Sequence, residues 1–166
     1  VSYSPVYIST DDYGEIKAAL GYDPDSTAPV SNAVIELRQF LPTIERRVGA
    51  VLTTYEIIMD DEAVGYDADI AEQVKTAIVL FAAGAIAGSH LKARQGDRVK
   101  STGTGPHSVT YDVGADYAQL GKDLESQALG IMCDVDEDAG YALYNAPFAW
   151  SDWPTSDDAE LQLLEV

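Results

Sequence analysis

Residues 134–138 carry the side-chain spacing that comes nearest to a chemical site. The run DVDED at these positions begins like a calcium-binding loop, in which carboxylate oxygens hold a hard cation. The sixth position of such a loop requires glycine and the twelfth requires a bidentate glutamate, but this chain has Ala139 and Asn145 there. These departures favour a solvated acidic turn over a weakly held cation.

No other stretch supplies a pattern that catalysis or cofactor binding requires. The sequence GDRVKS at 96–101 ends in Lys-Ser like a phosphate-binding loop, but it lacks the glycine before the lysine and follows a predicted helix. His90 and His107, the two histidines, have no metal-binding spacing, and the sequence contains no nucleophile elbow. The only cysteine, Cys133, is expected to pack as a small hydrophobic residue. The sequence therefore predicts no enzyme, no metal site and no cofactor.

The charge composition excludes two classes of partner. Ten basic residues against 28 acidic residues give a net charge of -18. Such a chain lacks the clustered lysines and arginines that nucleic-acid binding needs, and it is repelled by anionic membranes. Aspartates make up 18 of the 28 acidic residues, and there are only five lysines. This bias fits either a protein that works in high salt, where self-repulsion is screened, or a solvated acidic surface in ordinary salt.

One long apolar helix is predicted to organise the chain. Asp67 offers an N-cap for it, and apolar residues recur at spacings of three and four up to about Ala93. The continuous apolar run, residues 76–88, is shorter than the roughly 20 residues that span a bilayer. We therefore predict a buried core helix, on which the other helices pack.

The remaining elements are shorter and mostly helical. Gly21 is expected to end the first helix, and Pro42 is expected to kink or break the second. In chain order we predict an extended arm at 1–8, a helix from about 9 to 20, a helix from about 30 to 52, the long helix, a strand at 108–111 and a last helix at 115–132. The predicted fold is mainly α, a small helical bundle around one long central helix with a short β strand or hairpin and extended terminal arms.

The composition changes sharply after residue 133. We predict a helical domain over 1–133, with its N-terminal arm, and an acidic, aromatic C-terminal arm over 134–166. Large aromatic side chains are typical anchors at protein interfaces, so the C-terminal arm is expected to dock on another surface; the alternative is that it folds back on its own domain. The residues predicted to bind partners are the basic cluster of Arg94, Arg98 and Lys100 and the aromatic anchors Tyr144, Phe148, Trp150 and Trp153.

The order of these elements resembles a known family. The features that carry the resemblance are a short helix after Ser-Thr-Asp, a helix ending in RRVG at 46–49, an apolar helix ending near Arg94, a Ser/Gly loop and the strand SVTY at 108–111. This pattern is similar to that of the head–tail connector (adaptor) proteins of long-tailed phages and related archaeal viruses. The chain departs from it in the long acidic, aromatic C-terminal arm and in the interruption at Pro42.

The resemblance implies a structural role in a virion, at the head–tail junction. Members of that family form a ring, commonly of twelve subunits, that contacts the portal protein and the next tail or head-completion protein. DNA would pass through the ring without specific binding, because negative walls repel phosphate. The bias toward aspartate would further suggest a virus of a salt-loving host. A second hypothesis from composition is an acidic, monomeric binding module that sequesters a basic protein partner.

Overall fold

The computed structural model describes residues 3–95, 101–104, 107–110 and 116–145, and of Gln95 and the two strands it describes the main chain alone. The described chain is mainly helical, as predicted. A 3₁₀ turn at Thr10–Asp12 leads into the first helix. The helices are α1 (Tyr13–Ala19), α2 (Asn32–Ile35), α3 (Leu41–Thr54), α4 (Ala68–Ile86), α5 (Lys92–Gln95), α6 (Tyr117–Val135) and α7 (Glu137–Asn145), and the strands are β1 (Ser101–Thr104) and β2 (His107–Thr110).

The predicted long helix is present and begins where its cap was expected. The Asp67 carboxylate accepts hydrogen bonds from the backbone N–H groups of Asp69, at 2.9 Å, and Ile70, at 3.3 Å. Helix α4 continues without a break into a π-helical segment, Ala87–Leu91, and then into α5. By length and composition the stretch from Ala68 to Arg94 could span a membrane, but 67% of its most apolar 18-residue window is buried inside the protein. That burial is what a core helix requires.

The first helix ends as the sequence indicates. Gly21 adopts a left-handed conformation, with φ of +82°. The N–H groups of Gly21 and Tyr22 then donate to the carbonyls of Ala18 and Lys17, at 2.9 and 3.0 Å. This closes the helix with the paired bonds of a Schellman motif, which glycine permits because it lacks a Cβ atom.

The prediction of one helix kinked at Pro42 was wrong. Helix α2 is a single turn, the chain leaves helical geometry after it, and Pro42 lies in the first turn of the separate helix α3. Proline is well tolerated there because a first-turn N–H has no partner within the helix, and its fixed φ already suits a helix. Proline therefore starts α3 instead of disturbing it.

Helix α4 packs against α1, α3 and α6, and α7 packs against α6 and α3. Gly84 of α4 and Gly121 of α6 lie backbone to backbone, and Gln73 and Thr76 of α4 share a cleft with Ile131 of α6, so the two helices run antiparallel. The core fills the space between these elements. Its largest fully buried side chains are Tyr13, Phe40, Phe81, Ile16, Ile35, Leu41, Ile44, Ile78, Ile86, Met132 and Val30.

The strands form a two-stranded antiparallel pair, in which Ser101 lies opposite Thr110 and Thr104 opposite His107. Because their side chains are not described, the pairing fixes only the course of the backbone. It places a hairpin between α5 and α6 in the chain.

The acidic run at 134–138 is part of a helix–helix junction, so the predicted acidic turn was only partly right. Helix α6 extends to Val135, and Asp136 caps α7 by accepting from the N–H of Ala139 at 2.9 Å. Ala139 and Leu143 are buried, which gives α7 an apolar side that packs on the helical body. Residues 134–145 of the predicted C-terminal arm are thus helical and packed against the body, and residues 146–166 lie outside the described residues.

Candidate functional site

Two of the predicted partner-binding residues lie in the described part of the chain. Arg94 is exposed in the last turn of α5, beside the exposed Lys92. Tyr144 is 64% exposed on α7. The other predicted partner-binding residues lie outside the described residues: Arg98, Lys100, Phe148, Trp150 and Trp153.

The structure does not bring Arg94 and Tyr144 together. Gly88, just before α5, packs against Gly121 near the beginning of α6. Tyr144 belongs to α7, which follows the end of α6, and α6 is 19 residues long. A helix of that length spans about 28 Å. The two residues therefore mark separate surfaces at different ends of α6, not one site.

Tyr141 and Tyr144 form an exposed pair on α7, which we call the tyrosine patch. Tyr141 is 54% exposed, and a spacing of three residues puts both rings on one side of the helix. Ala139 and Leu143 occupy the opposite, buried side. Tyrosine supplies a large apolar ring with a polar tip, which is why it is enriched at the centres of protein interfaces.

The most completely built polar arrangement in the described chain surrounds Glu45, and the sequence analysis did not identify it. The Glu45 side chain is only 2% exposed. Its carboxylate accepts from the backbone N–H groups of Val6 and Tyr7, both at 2.9 Å, and of Ile8 at 3.3 Å. The Tyr3 hydroxyl also donates to it. One buried carboxylate thus fixes the N-terminal arm, residues 3–8, and we call it the arm site.

The ring of Tyr7 completes the arm site by lying over Gly49. A methyl group added at Gly49 would be 2.6 Å from the Tyr7 hydroxyl oxygen and 3.1 Å from a ring carbon. Only a residue without a side chain lets the ring approach α3 this closely. Next to this contact runs a cleft of about 390 Å³. Its lining includes Pro42, Arg46, Ala50 and Thr53 of α3.

A single irregularity in the sequence pattern could have pointed to Glu45. Leu41, Val48 and Leu52 are buried on one side of α3, and Glu45 occupies the position between the first two. A carboxylate within an apolar stripe must be paired or hydrogen-bonded, because burying an unpaired charge costs several kcal/mol. The identity of its donors, 37 to 42 residues earlier in the chain, leaves no local signal.

Two tyrosines are expected to ionise late. Burial, the hydrogen bond to Glu45 and its negative charge raise the pKa of Tyr3 far above the ordinary 10.0. Burial and Glu36, which accepts from the Tyr13 hydroxyl at 3.2 Å, raise the pKa of Tyr13 likewise. Both phenols therefore stabilise the fold while protonated, and their contribution is lost as the pH rises above 10.

Absorbance of phenolate against pH measures this directly. In the folded protein, Tyr3→Phe and Tyr13→Phe should each remove one of the late-ionising tyrosines among the ten in the chain. Tyr144→Phe should instead remove an early one, because Tyr144 is exposed. Identical titration curves for Tyr3→Phe and Tyr144→Phe would contradict the arrangement around Glu45.

A second cleft, of about 490 Å³, lies between α4 and α6 and is acidic. Asp69, Glu72 and Asp134 line it together with Gln73, Thr76 and Ile131. Across the described residues, no group of three or more His, Cys, Asp or Glu side chains is arranged to hold a metal ion. The cleft can attract cationic side chains, and its residues form no nucleophile–base pair.

His90 has a packing environment. Its Nε2 atom lies 3.3 Å from the Pro29 carbonyl oxygen, and its ring meets the edge of Phe40 at a centroid distance of 6.5 Å. These contacts join the loop before α2 to the π-helical segment after α4. Such segments often occur at functional sites, but here the described partners of the histidine are a backbone carbonyl and an aromatic ring.

No protein-family model, curated protein or solved structure matches this chain.

Proposed function

We propose that this chain is a virion structural protein, a head–tail connector whose copies form a ring of twelve subunits between the portal and the tail. The observation that carries the proposal is the order of elements: a short first helix, a second helix, a long apolar helix, a hairpin and a further long helix. This is the order in the connector proteins that the sequence resembles. In this proposal the helices form a bundle around α4 that builds the wall of the ring.

Exposed apolar side chains on separate elements support an assembling protein. In a closed ring each subunit contacts its two neighbours through two different surfaces. Val6, on the N-terminal arm, is 71% exposed, and the tyrosine patch lies on α7. Arg94 and Lys92 add exposed positive charge at the end of α5 to a chain that is otherwise strongly acidic. These surfaces would meet neighbouring subunits, the portal protein and the next tail or head-completion protein.

The acidity of the chain suits a channel for DNA. With a net charge of -18, a ring of these subunits repels phosphate, so DNA would pass without specific binding. The excess of aspartate over lysine fits assembly in a salt-loving host, where high salt screens the repulsion between subunits. The protein would then be made in the host cytoplasm and would act at the head–tail junction of the virion, without enzymatic activity.

Light scattering in molar salt tests the proposal. The chain has a mass of 17.8 kDa, so a ring of twelve would have a mass of about 210 kDa. We expect either this species or stoichiometric addition of the chain to a candidate portal ring. A monomer that persists in the presence of the portal would overturn the connector proposal.

A matched pair of variants locates the assembly surface. Replacing both Tyr141 and Tyr144 with serine should reduce assembly at least tenfold without changing the melting temperature, because losing an interface anchor costs about 1–2 kcal/mol or more. Val64→Ser is the control, since Val64 is 97% exposed in the loop before α4. Equal assembly of the tyrosine variant and the control would exclude the tyrosine patch as an assembly surface.

The acidic cleft between α4 and α6 favours a second candidate function. A monomeric module that sequesters a basic protein would present Asp69, Glu72 and Asp134 to cationic side chains of that partner. It would bind tightly at low salt and much more weakly at high salt, since exposed charges are screened. The connector proposal predicts the opposite, namely an assembly that forms in molar salt.

A further inference from the structure

The N-terminal arm is held mainly by hydrogen bonds to Glu45, with little apolar burial. Val6 is 71% exposed, and within residues 3–8 only Ile8 is a buried hydrophobic side chain. The bonds to Glu45 come from three consecutive backbone N–H groups and from the Tyr3 hydroxyl. An attachment of this kind can be released and re-formed without exposing a large apolar surface.

Glu45 cannot be left without donors when the arm leaves. Its carboxylate is 2% exposed in the folded chain, and removing the partners of a buried charge costs about 3–5 kcal/mol. Another extended segment that presents the same donors would offset this cost. The N-terminal arm of a second copy presents the same three N–H groups, the same Tyr3 hydroxyl and the same Tyr7 ring for Gly49.

The junction between arm and body provides a hinge at Ser9. The Ser9 N–H donates to the Asp12 carboxylate at 2.6 Å, and the 3₁₀ turn begins at the next residue. The body is therefore fixed from Ser9 onward, independently of the arm. Six extended residues reach up to about 20 Å, so the arm can cross to a subunit that lies next to it.

Concentration decides which copy the arm occupies. Within one chain the arm meets its own site at an effective concentration in the millimolar range, which dilute free subunits cannot match. Neighbouring subunits of a ring are held at comparable effective concentrations. Arm exchange is therefore expected in the assembly and not in the free monomer.

We propose that the arm site is an intersubunit socket: in the assembled ring the N-terminal arm of each copy occupies the Glu45 site of the neighbouring copy. The inference rests on the proposed ring. It adds the identity of the segment that links neighbouring subunits and the residues that receive it, Glu45 and Gly49.

Crosslinking between full-length chains tests the socket. In a Cys133→Ser background, a donor chain carries Val6→Cys and a tagged acceptor chain carries Ala50→Cys, since Val6 and Ala50 line the same cleft. A short bismaleimide should join donor to acceptor at least tenfold more in the assembled species than in dilute monomer. A chain carrying both cysteines should crosslink internally as a monomer, which verifies that the reagent spans the cleft.

Gly49→Ala in the acceptor is the matched control. The added methyl group displaces the Tyr7 ring, so it should reduce donor–acceptor crosslinking several-fold, while the melting temperature stays the same or rises because alanine favours helix. A ring of full mass with only internal crosslinks in the doubly substituted chain would overturn arm exchange and leave the connector proposal standing. Absence of any assembly, with or without the portal, would overturn both.

Discussion

Replacing Gly121 with alanine is expected to lower the free energy of unfolding by about 2 kcal/mol. The added methyl group would lie 2.9 Å from the Gly84 carbonyl oxygen and 3.1 Å from the Gly88 nitrogen. Both are backbone atoms of the central helical stretch, so they cannot move aside as a flexible side chain would. The two helices must separate, and the contacts on either side of the crossing loosen with them.

Gly130 provides the control within the same helix. A Cβ atom there would have no neighbour within 4 Å, so Gly130→Ala should raise the free energy of unfolding by about 0.5–1 kcal/mol through helix propensity alone. Urea unfolding of the three proteins compares the two changes directly. If Gly121→Ala were as stable as Gly130→Ala, the close crossing of α4 and α6 would be wrong.

The same helix pair shows how far the sequence reaches. The long helix, its Asp67 cap and the end of α1 at Gly21 follow from local rules, because the capping groups lie within three residues of the atoms they bond. The crossing does not follow. Gly84 and Gly121 are 37 residues apart, and nothing in either local sequence names the other as its partner.

The errors have a common physical origin. Pro42 was expected to interrupt a helix, since a proline among helical residues usually does. It starts one instead, because the chain turns between Ile35 and Leu41 and buries Phe40 there. Residues 137–145 look like an acidic tail until Ala139 and Leu143 find the groove beside α6. In both cases tertiary burial decided between local alternatives that the sequence left close in free energy.

Replacing Glu45 with alanine is expected to lower the free energy of unfolding by about 3 kcal/mol and to release the N-terminal arm. Three backbone N–H groups and the Tyr3 hydroxyl lose their acceptor together. They can regain hydrogen bonds only from water, which requires the arm to leave α3 and Ile8 to become exposed. Hydrogen exchange at residues 6–8 should therefore become at least a hundredfold faster, as for a local opening about 3 kcal/mol easier.

Glu45→Gln and Glu72→Ala separate the causes of this loss. Glutamine keeps one acceptor oxygen but turns N–H donors toward the N–H groups of the arm, so its effect should fall between wild type and Glu45→Ala. Glu72 is an exposed acid on α4, and its removal should change stability by less than about 0.5 kcal/mol. If Glu45→Ala matched Glu72→Ala in stability and in exchange at residues 6–8, the carboxylate would not be what holds the arm. The intersubunit socket would then have no basis, because the same bonds carry the arm in both arrangements.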